Sequence, residues 1–239
     1  MKNPLPAGIS AGMSEATPTD TATAAPVPRG RTLRLWAEML ALFVGTPILM
    51  AVHFGEYPLF PVVFGLAVVS LLLLALTPGF RLAELLRGPV LGEWKIILLF
   101  TLAVGAVSVA TVFALVPERF LELPRHRTEL WLLIMVFYPI ASVIPQELIF
   151  RPLFFRRYGQ LFPNVGTAVA ANAALFGLGH LFFWNPVTIA MTAAGGAVMA
   201  WAYMRHRSFL LAVVLHSVAG QIIFTVGLGI FFYHGAVAR

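Results

Sequence analysis

The sequence predicts an all-α membrane protein: a polytopic bundle of about seven (six to eight) transmembrane helices. Hydrophobic residues make up 59% of the 239 residues and charged residues only 11%, whereas a soluble domain carries about 25% charged residues. Several apolar runs reach the length of about 20 residues that crosses a bilayer as a helix. These runs are continuous rather than alternating, which argues against a transmembrane β-barrel.

Seven apolar runs are predicted to cross the membrane. Their approximate limits are 36–54, 57–77, 94–116, 130–150, 165–184, 187–203 and 209–233. The fourth run contains Pro139 and Pro145 and continues or bends into RPLFFRRYG. The last run is long enough to tilt, or to break near Gly220.

The first part of the chain has a different composition. Residues 1–30 are rich in Ala, Thr, Pro, Ser and Gly and contain no apolar stretch of the kind found in a signal peptide. We expect a disordered tail here. Residues 31–239 are then the transmembrane helical domain.

The formal net charge of +6 comes from basic residues in short loops between apolar runs, where such residues fix orientation and meet anionic lipid. Their distribution predicts a cytoplasmic N-terminus. No basic stretch is interleaved with aromatic residues, so no nucleic-acid partner is expected. The chain has no cysteine, which excludes a cysteine nucleophile and thiolate metal ligands. The Ala- and Leu-rich composition suggests a bacterial cytoplasmic membrane.

Glu147, Arg151, His180 and His216 are ionisable residues within, or directly after, the fourth, fifth and seventh apolar runs. A charged side chain at the centre of a membrane helix costs about 2.5–3.5 kcal/mol on insertion scales, so such residues face the bundle interior and usually have a function. Glu147 and Arg151 are four residues apart, on one helix face. They form either a catalytic carboxylate oriented by a cation, or an ion pair that only neutralises both charges.

The two histidines also allow two interpretations each. Asn172, Phe176 and His180 recur every four residues, and His180 either positions a water or is satisfied by a helix carbonyl. His216 precedes Gln221, and a helix break near Gly220 would let the two stabilise an oxyanion together. Otherwise His216 contributes only polar contacts between helices.

The combination favours chemistry over packing. One carboxylate and two imidazoles on three separate spans are the groups needed to activate a water molecule. The sequence therefore predicts one buried hydrolytic site formed by the fourth, fifth and seventh spans.

Three motifs carry a resemblance to a known family. QELIFR, FGLGH and the later membrane histidine resemble the EExxxR, FxxxH and His-x-x-x-Asn/His motifs of the CAAX protease and bacteriocin-processing (CPBP, or ABI) family. The resemblance covers about residues 130–225. It implies a glutamate-dependent intramembrane endopeptidase that acts on a membrane-anchored protein or peptide.

The resemblance assigns roles to particular positions. Glu147 matches the second glutamate of the first motif and Arg151 its arginine. Phe176 and His180 match the second motif, and His216 begins the third. Two positions depart from the family: Gln146 replaces the first glutamate, and Gly220 replaces the amide or imidazole of the third motif, with Gln221 beside it.

These matches lead to a mechanism. Glu147 is expected to activate a water held with His180, while His216, with Gln221 or Gln146, stabilises the oxyanion. Arg151 positions the carboxylate. Phe150, Asn172 and Phe176 are expected to line the substrate cavity.

The sequence also allows functions other than proteolysis. Because Gln146 replaces a family glutamate, an inactive family member acting as a membrane partner or immunity factor is possible, as is a small transporter. Glu147 and the two histidines are also potential zinc ligands, but no HExxH pair is present, so we expect no metal and no other cofactor. The expected partners are the substrate and the lipid bilayer; the sequence gives no oligomeric state.

Overall fold

The computed structural model describes residues 29–53 and 59–232. All regular secondary structure within them is helical. Six helices are long and apolar enough to cross a membrane, and a seventh apolar helix is slightly shorter. The predicted fold class, a polytopic helical membrane bundle, is confirmed.

The seven apolar helices follow the seven predicted runs in order. They are α1 (Arg29–Val52), α2 (Leu59–Ala75), α3 (Trp94–Leu115), α4 (Thr128–Leu161), α5 (Val165–Leu178), α6 (Pro186–His206) and α7 (Phe209–Val226). The predicted tail, 1–30, lies outside the described residues except for its last two, which already belong to α1.

Helix α4 is a single element of 34 residues and does not end with its apolar run. It widens into π-helical turns at Pro139–Val143 and again at Ile149–Tyr158, with an α-helical segment, Ile144–Leu148, between them. Proline lacks the N–H that an α-helix needs, and such widened turns are frequent at functional sites. A regular helix of this length would measure about 50 Å, more than the hydrocarbon core of about 30 Å. We infer that α4 tilts, or extends beyond the hydrocarbon core.

Of the two alternatives for the last run, tilting or breaking near Gly220, the break does not occur. Helix α7 runs through Gly220 and ends at Gly227, whose φ of +114° is readily accessible only to glycine. A Cβ atom at position 227 would also lie 2.1 Å from the carbonyl oxygen of Arg119. The chain therefore turns at Gly227, and a 3₁₀ turn, Leu228–Phe231, follows.

Small residues hold α5 and α6 close together. A Cβ atom at Gly177 of α5 would lie 3.0 Å from the Cβ of Ala193 and 3.1 Å from the carbonyl oxygen of Ile189. At Gly196 of α6, a Cβ atom would lie 2.9 Å from the ring of Phe176. Close approach through small residues is the usual way in which membrane helices gain packing energy. It also fixes Phe176 in the bundle interior.

This packing predicts a stability difference between two glycine substitutions. Gly177→Ala should destabilise the protein by about 1–3 kcal/mol, because the added methyl group overpacks the α5–α6 contact. Thermal unfolding in detergent measures the change. Gly105→Ala is the matched control, because Gly105 of α3 has nothing within 4 Å of its Cβ position. An equal loss of stability in both variants would contradict the packing account.

Candidate active site

Glu147 lies at the centre of the site and has no exposed surface. Arg151 Nε donates to its Oε2 at 2.8 Å, and Arg151 Nη2 donates to its Oε1 at 3.3 Å. His216 Nδ1 donates to the same Oε1 at 2.9 Å. Both carboxylate oxygens are therefore occupied, and the contact with His216 ties α4 to α7.

Arg151 extends the network to α5. It is fully buried, and its Nη1 donates to Oδ1 of Asn172. Asn172 Nδ2 in turn donates to the carbonyl oxygen of Phe150 at 2.7 Å. The guanidinium also lies over the ring of Phe176, 5.1 Å from its centre, a favourable cation–π geometry. The buried cation thus has a carboxylate, an amide and an aromatic face as partners.

Phe176 is the ring around which the site is assembled. Its centre lies 4.9 Å from that of His180, 5.4 Å from that of His216 and 4.9 Å from that of Phe150, each in an edge-to-face arrangement. The predicted convergence of His180 and His216 is therefore seen as two imidazoles on one phenyl ring.

The hydrogen bonds of the two histidines assign their tautomers. His180 follows the end of α5, and its Nδ1 lies 2.8 Å from the carbonyl oxygen of Phe176. A carbonyl or carboxylate oxygen only accepts, so Nδ1 carries the proton in both His180 and His216. In the neutral rings Nε2 is then an acceptor.

The carboxylate and the two imidazoles differ in their exposed surface. His180 keeps 9% of its surface exposed and His216 keeps 6%, while Glu147 keeps none. The small exposed surface of this group, called its accessible edge below, therefore belongs to the imidazoles and not to the carboxylate.

Two predicted residues point elsewhere. Gln146 Nε2 donates to Ser142 Oγ at 2.8 Å on the same helix. Gln221 Nε2 donates to the carbonyl oxygen of Met135 at 2.9 Å, which ties α7 to α4. Neither amide contacts His216 or Glu147 through a hydrogen bond. Of the predicted cavity residues, Asn172, Phe150 and Phe176 are buried around Arg151.

Sequence reasoning missed Tyr138. Its ring lies edge-on to His216, with the ring centres 6.1 Å apart. A Cβ atom at position 220 would lie 2.4 Å from Tyr138 Oη and 2.1 Å from Cε1. Gly220, one helical turn after His216, therefore makes the space that the tyrosine ring fills. In the sequence, only the unusual glycine at position 220 indicated a special contact here, and a glycine does not indicate which residue packs against it.

In the part of the chain that the structure describes, no three His, Cys, Asp or Glu side chains are grouped to hold a metal ion. Glu147 and His216 are two potential ligands. Their facing atoms, Oε1 and Nδ1, are hydrogen-bonded to each other, and Oε2 of Glu147 accepts from Arg151.

Part of the chain is similar to a known protein family. Residues 127–222, less than half of the chain, match the family model described as Rce1-like, type II CAAX prenyl endopeptidase Rce1-like. The match spans the helices that carry Glu147, Arg151, Phe176, His180 and His216, and it confirms the resemblance to the CAAX protease family. No curated protein and no solved structure shows a significant match to the chain.

The similarity relates these residues to a family of endopeptidases. The match also contains Tyr138 and Gly220, so the altered third motif lies within the family domain rather than beyond it.

The burial of the ion pair predicts a large loss of stability when one partner is removed. Arg151→Met should lower the free energy of unfolding by about 3–5 kcal/mol, because it leaves Glu147 as a buried charge without its main partner. Arg119→Met is the matched control: Arg119 pairs with Glu122 on the surface, with side chains 40% and 38% exposed. That change should cost about 0–1 kcal/mol. Similar losses for the two variants would show that the buried pair contributes little.

Proposed function

We propose that the protein is a glutamate-dependent intramembrane endopeptidase. It would hydrolyse a peptide bond, in or near the bilayer, of a membrane-anchored or lipid-associated protein or peptide. The observation that carries the proposal is the grouping of Glu147, His180 and His216 from three parts of the fold around Phe176. The family match of residues 127–222 supports the same class of reaction.

Glu147 acts through His216 in this proposal. The carboxylate is buried and fully hydrogen-bonded, so a water at the accessible edge transfers its proton to Nε2 of His216. Glu147 stabilises the imidazolium that forms, since it faces the Nδ1 proton. His180 holds the water through its own Nε2. The hydroxide attacks the peptide carbonyl carbon, and His216 later returns the proton to the leaving amine.

Tyr138 is the proposed oxyanion donor. Its hydroxyl lies beside position 220, next to His216, whereas the amides of Gln146 and Gln221 are already bonded to Ser142 and Met135. A preorganised donor at the developing oxyanion is among the largest contributions to catalysis. Arg151 holds the carboxylate in place and does not touch the substrate.

The family description suggests a class of substrate. The description of the matched family names prenyl endopeptidases, and a prenylated peptide is one candidate. We propose a bacterial cytoplasmic membrane as the location, with the N-terminus inside, and no metal or other cofactor in the reaction.

The direct test is mass spectrometry of peptides released from membrane vesicles that contain the protein. His180→Ala should lower release of the product by about 10²–10⁴-fold, because the water loses its acceptor. His206→Ala is the matched control: His206 pairs with Glu93 at the end of α6, far along the helix from the site. Thermal unfolding should show both variants folded.

The same assay distinguishes the alternatives. Product formation that persists in strong chelators supports the metal-free route, while its loss on chelation and recovery with zinc would replace that route. Wild-type protein that releases no peptide but carries solute flux would be a transporter. Wild-type protein with neither activity would fit an inactive partner.

A pair of substitutions tests Tyr138. Tyr138→Phe should lower kcat by about 10²-fold with little change in stability, because it removes one oxyanion donor and keeps the ring. Gly220→Asn alone should destabilise the protein, because its Cβ meets Tyr138. In the double variant Tyr138→Ala/Gly220→Asn, the asparagine has space. The double variant should therefore be more stable than Gly220→Asn alone and more active than Tyr138→Ala alone. Full activity in Tyr138→Phe would rule out the tyrosine as the donor.

A further inference from the structure

A cavity of about 370 Å³ lies away from the candidate active site, where α1 begins and α2 and α4 end. Its polar wall consists of Arg31, Arg34, Arg157 and Gln160. Its apolar wall includes Leu35 and Leu76. Three guanidinium groups from two helices therefore share one space with apolar side chains.

The charges around this cavity are not balanced among the described residues. Glu38 is paired with both Arg34, at 2.8 Å, and Arg157, at 2.7 Å. One carboxylate therefore serves two guanidinium groups, and Arg31 adds a third. Three positive charges against one negative charge leave an excess of positive charge, which favours an anionic group such as a phosphodiester, whose oxygens guanidinium groups bind well.

Arg157 distinguishes the cavity from an ordinary basic loop. It is only 8% exposed, and it is fixed by Glu38, the carbonyl oxygen of Leu73 and Thr77 Oγ1. Basic residues that only orient a membrane protein need no such support. Here the packing of α1, α2 and α4 holds one guanidinium at the floor of the cavity.

The position of the cavity at helix ends indicates what kind of molecule carries the phosphate. Arg31 and Arg34 lie in the first turns of α1, and Thr77 and Pro78 follow the end of α2. Basic pockets between membrane helices at this level bind anionic lipid head groups. The guanidinium group suits phosphate better than an ammonium group does, because it binds two oxygens at once.

We propose that this cavity is a binding site for the phosphate group of an anionic phospholipid head group. The guanidinium groups of Arg31 and Arg34 bind the phosphate oxygens. Arg157 supplies the buried positive charge, and the glycerol and first acyl carbons contact Leu35 and Leu76. The proposal is independent of the proteolytic function, since the two sites share no residue.

The test is native mass spectrometry of the full-length protein in detergent, titrated with dilauroyl phosphatidylglycerol, with dilauroyl phosphatidylcholine, or with inorganic phosphate. Wild-type protein should retain the phosphatidylglycerol preferentially. The Arg31→Gln/Arg34→Gln double variant should bind it about tenfold more weakly. Thermal unfolding without lipid should show that the variant is folded.

Arg125→Gln/Arg127→Gln is the matched control. It removes the same charge at the opposite end of α4, where both side chains are exposed, so it should bind phosphatidylglycerol like the wild type. Equal losses in the two double variants would show a general effect of surface charge and overturn the site. If inorganic phosphate bound more tightly than phosphatidylglycerol, the proposal that the bound phosphate group belongs to a lipid would be wrong. Raising the salt concentration should weaken nonspecific binding to exposed charges more than binding in the cavity, because exposed charges are screened most.

Discussion

The structure depends on how one buried carboxyl group is paired inside a membrane protein. Glu147 has no exposed surface, and Arg151 and His216 occupy its two oxygens. Removing one partner of a buried ion pair costs about 3–5 kcal/mol. The stability of the fold therefore depends on all three side chains being present together. Arg151 in turn requires Asn172, and this chain of contacts fixes α4, α5 and α7 relative to one another.

The same contacts determine what chemistry the site can perform. In the proposed mechanism, the enclosed carboxylate acts on a reactant through the imidazole that it binds. His216 and His180 each bind an oxygen acceptor through Nδ1, which leaves the Nε2 atom of each neutral ring as an acceptor. Phe176 spaces the rings and also covers the guanidinium. In the mechanism that we propose, the ion pair that stabilises the fold also serves catalysis; the sequence alone left these two roles as alternatives.

Much of the fold was predictable because the bilayer imposes length and hydropathy on each helix. The seven runs appear in order, and the spacing of four residues between Glu147 and Arg151 does produce an ion pair. Helix α7 ends earlier than the predicted limit of 233, and it ends at Gly227 rather than near Gly220, where the sequence allowed a break. Gly227 adopts the left-handed conformation that ends the helix, whereas Gly220 stays helical and makes room for Tyr138. Facing residues of this kind are set by tertiary packing, which no single-chain pattern encodes. The amide of Gln221 shows the same limit, since the carbonyl of Met135 that it binds lies on another helix.

The most direct measurement of the central claim is ¹⁵N NMR of the histidine-labelled protein in detergent, with His180 and His216 assigned through His→Gln variants. The account predicts that both rings carry their proton on Nδ1, and that the Nδ1 signal of His216 shifts in Glu147→Gln while that of His180 does not. A proton on Nε2 of His216, or a His216 signal that is unaffected by Glu147→Gln, would contradict it.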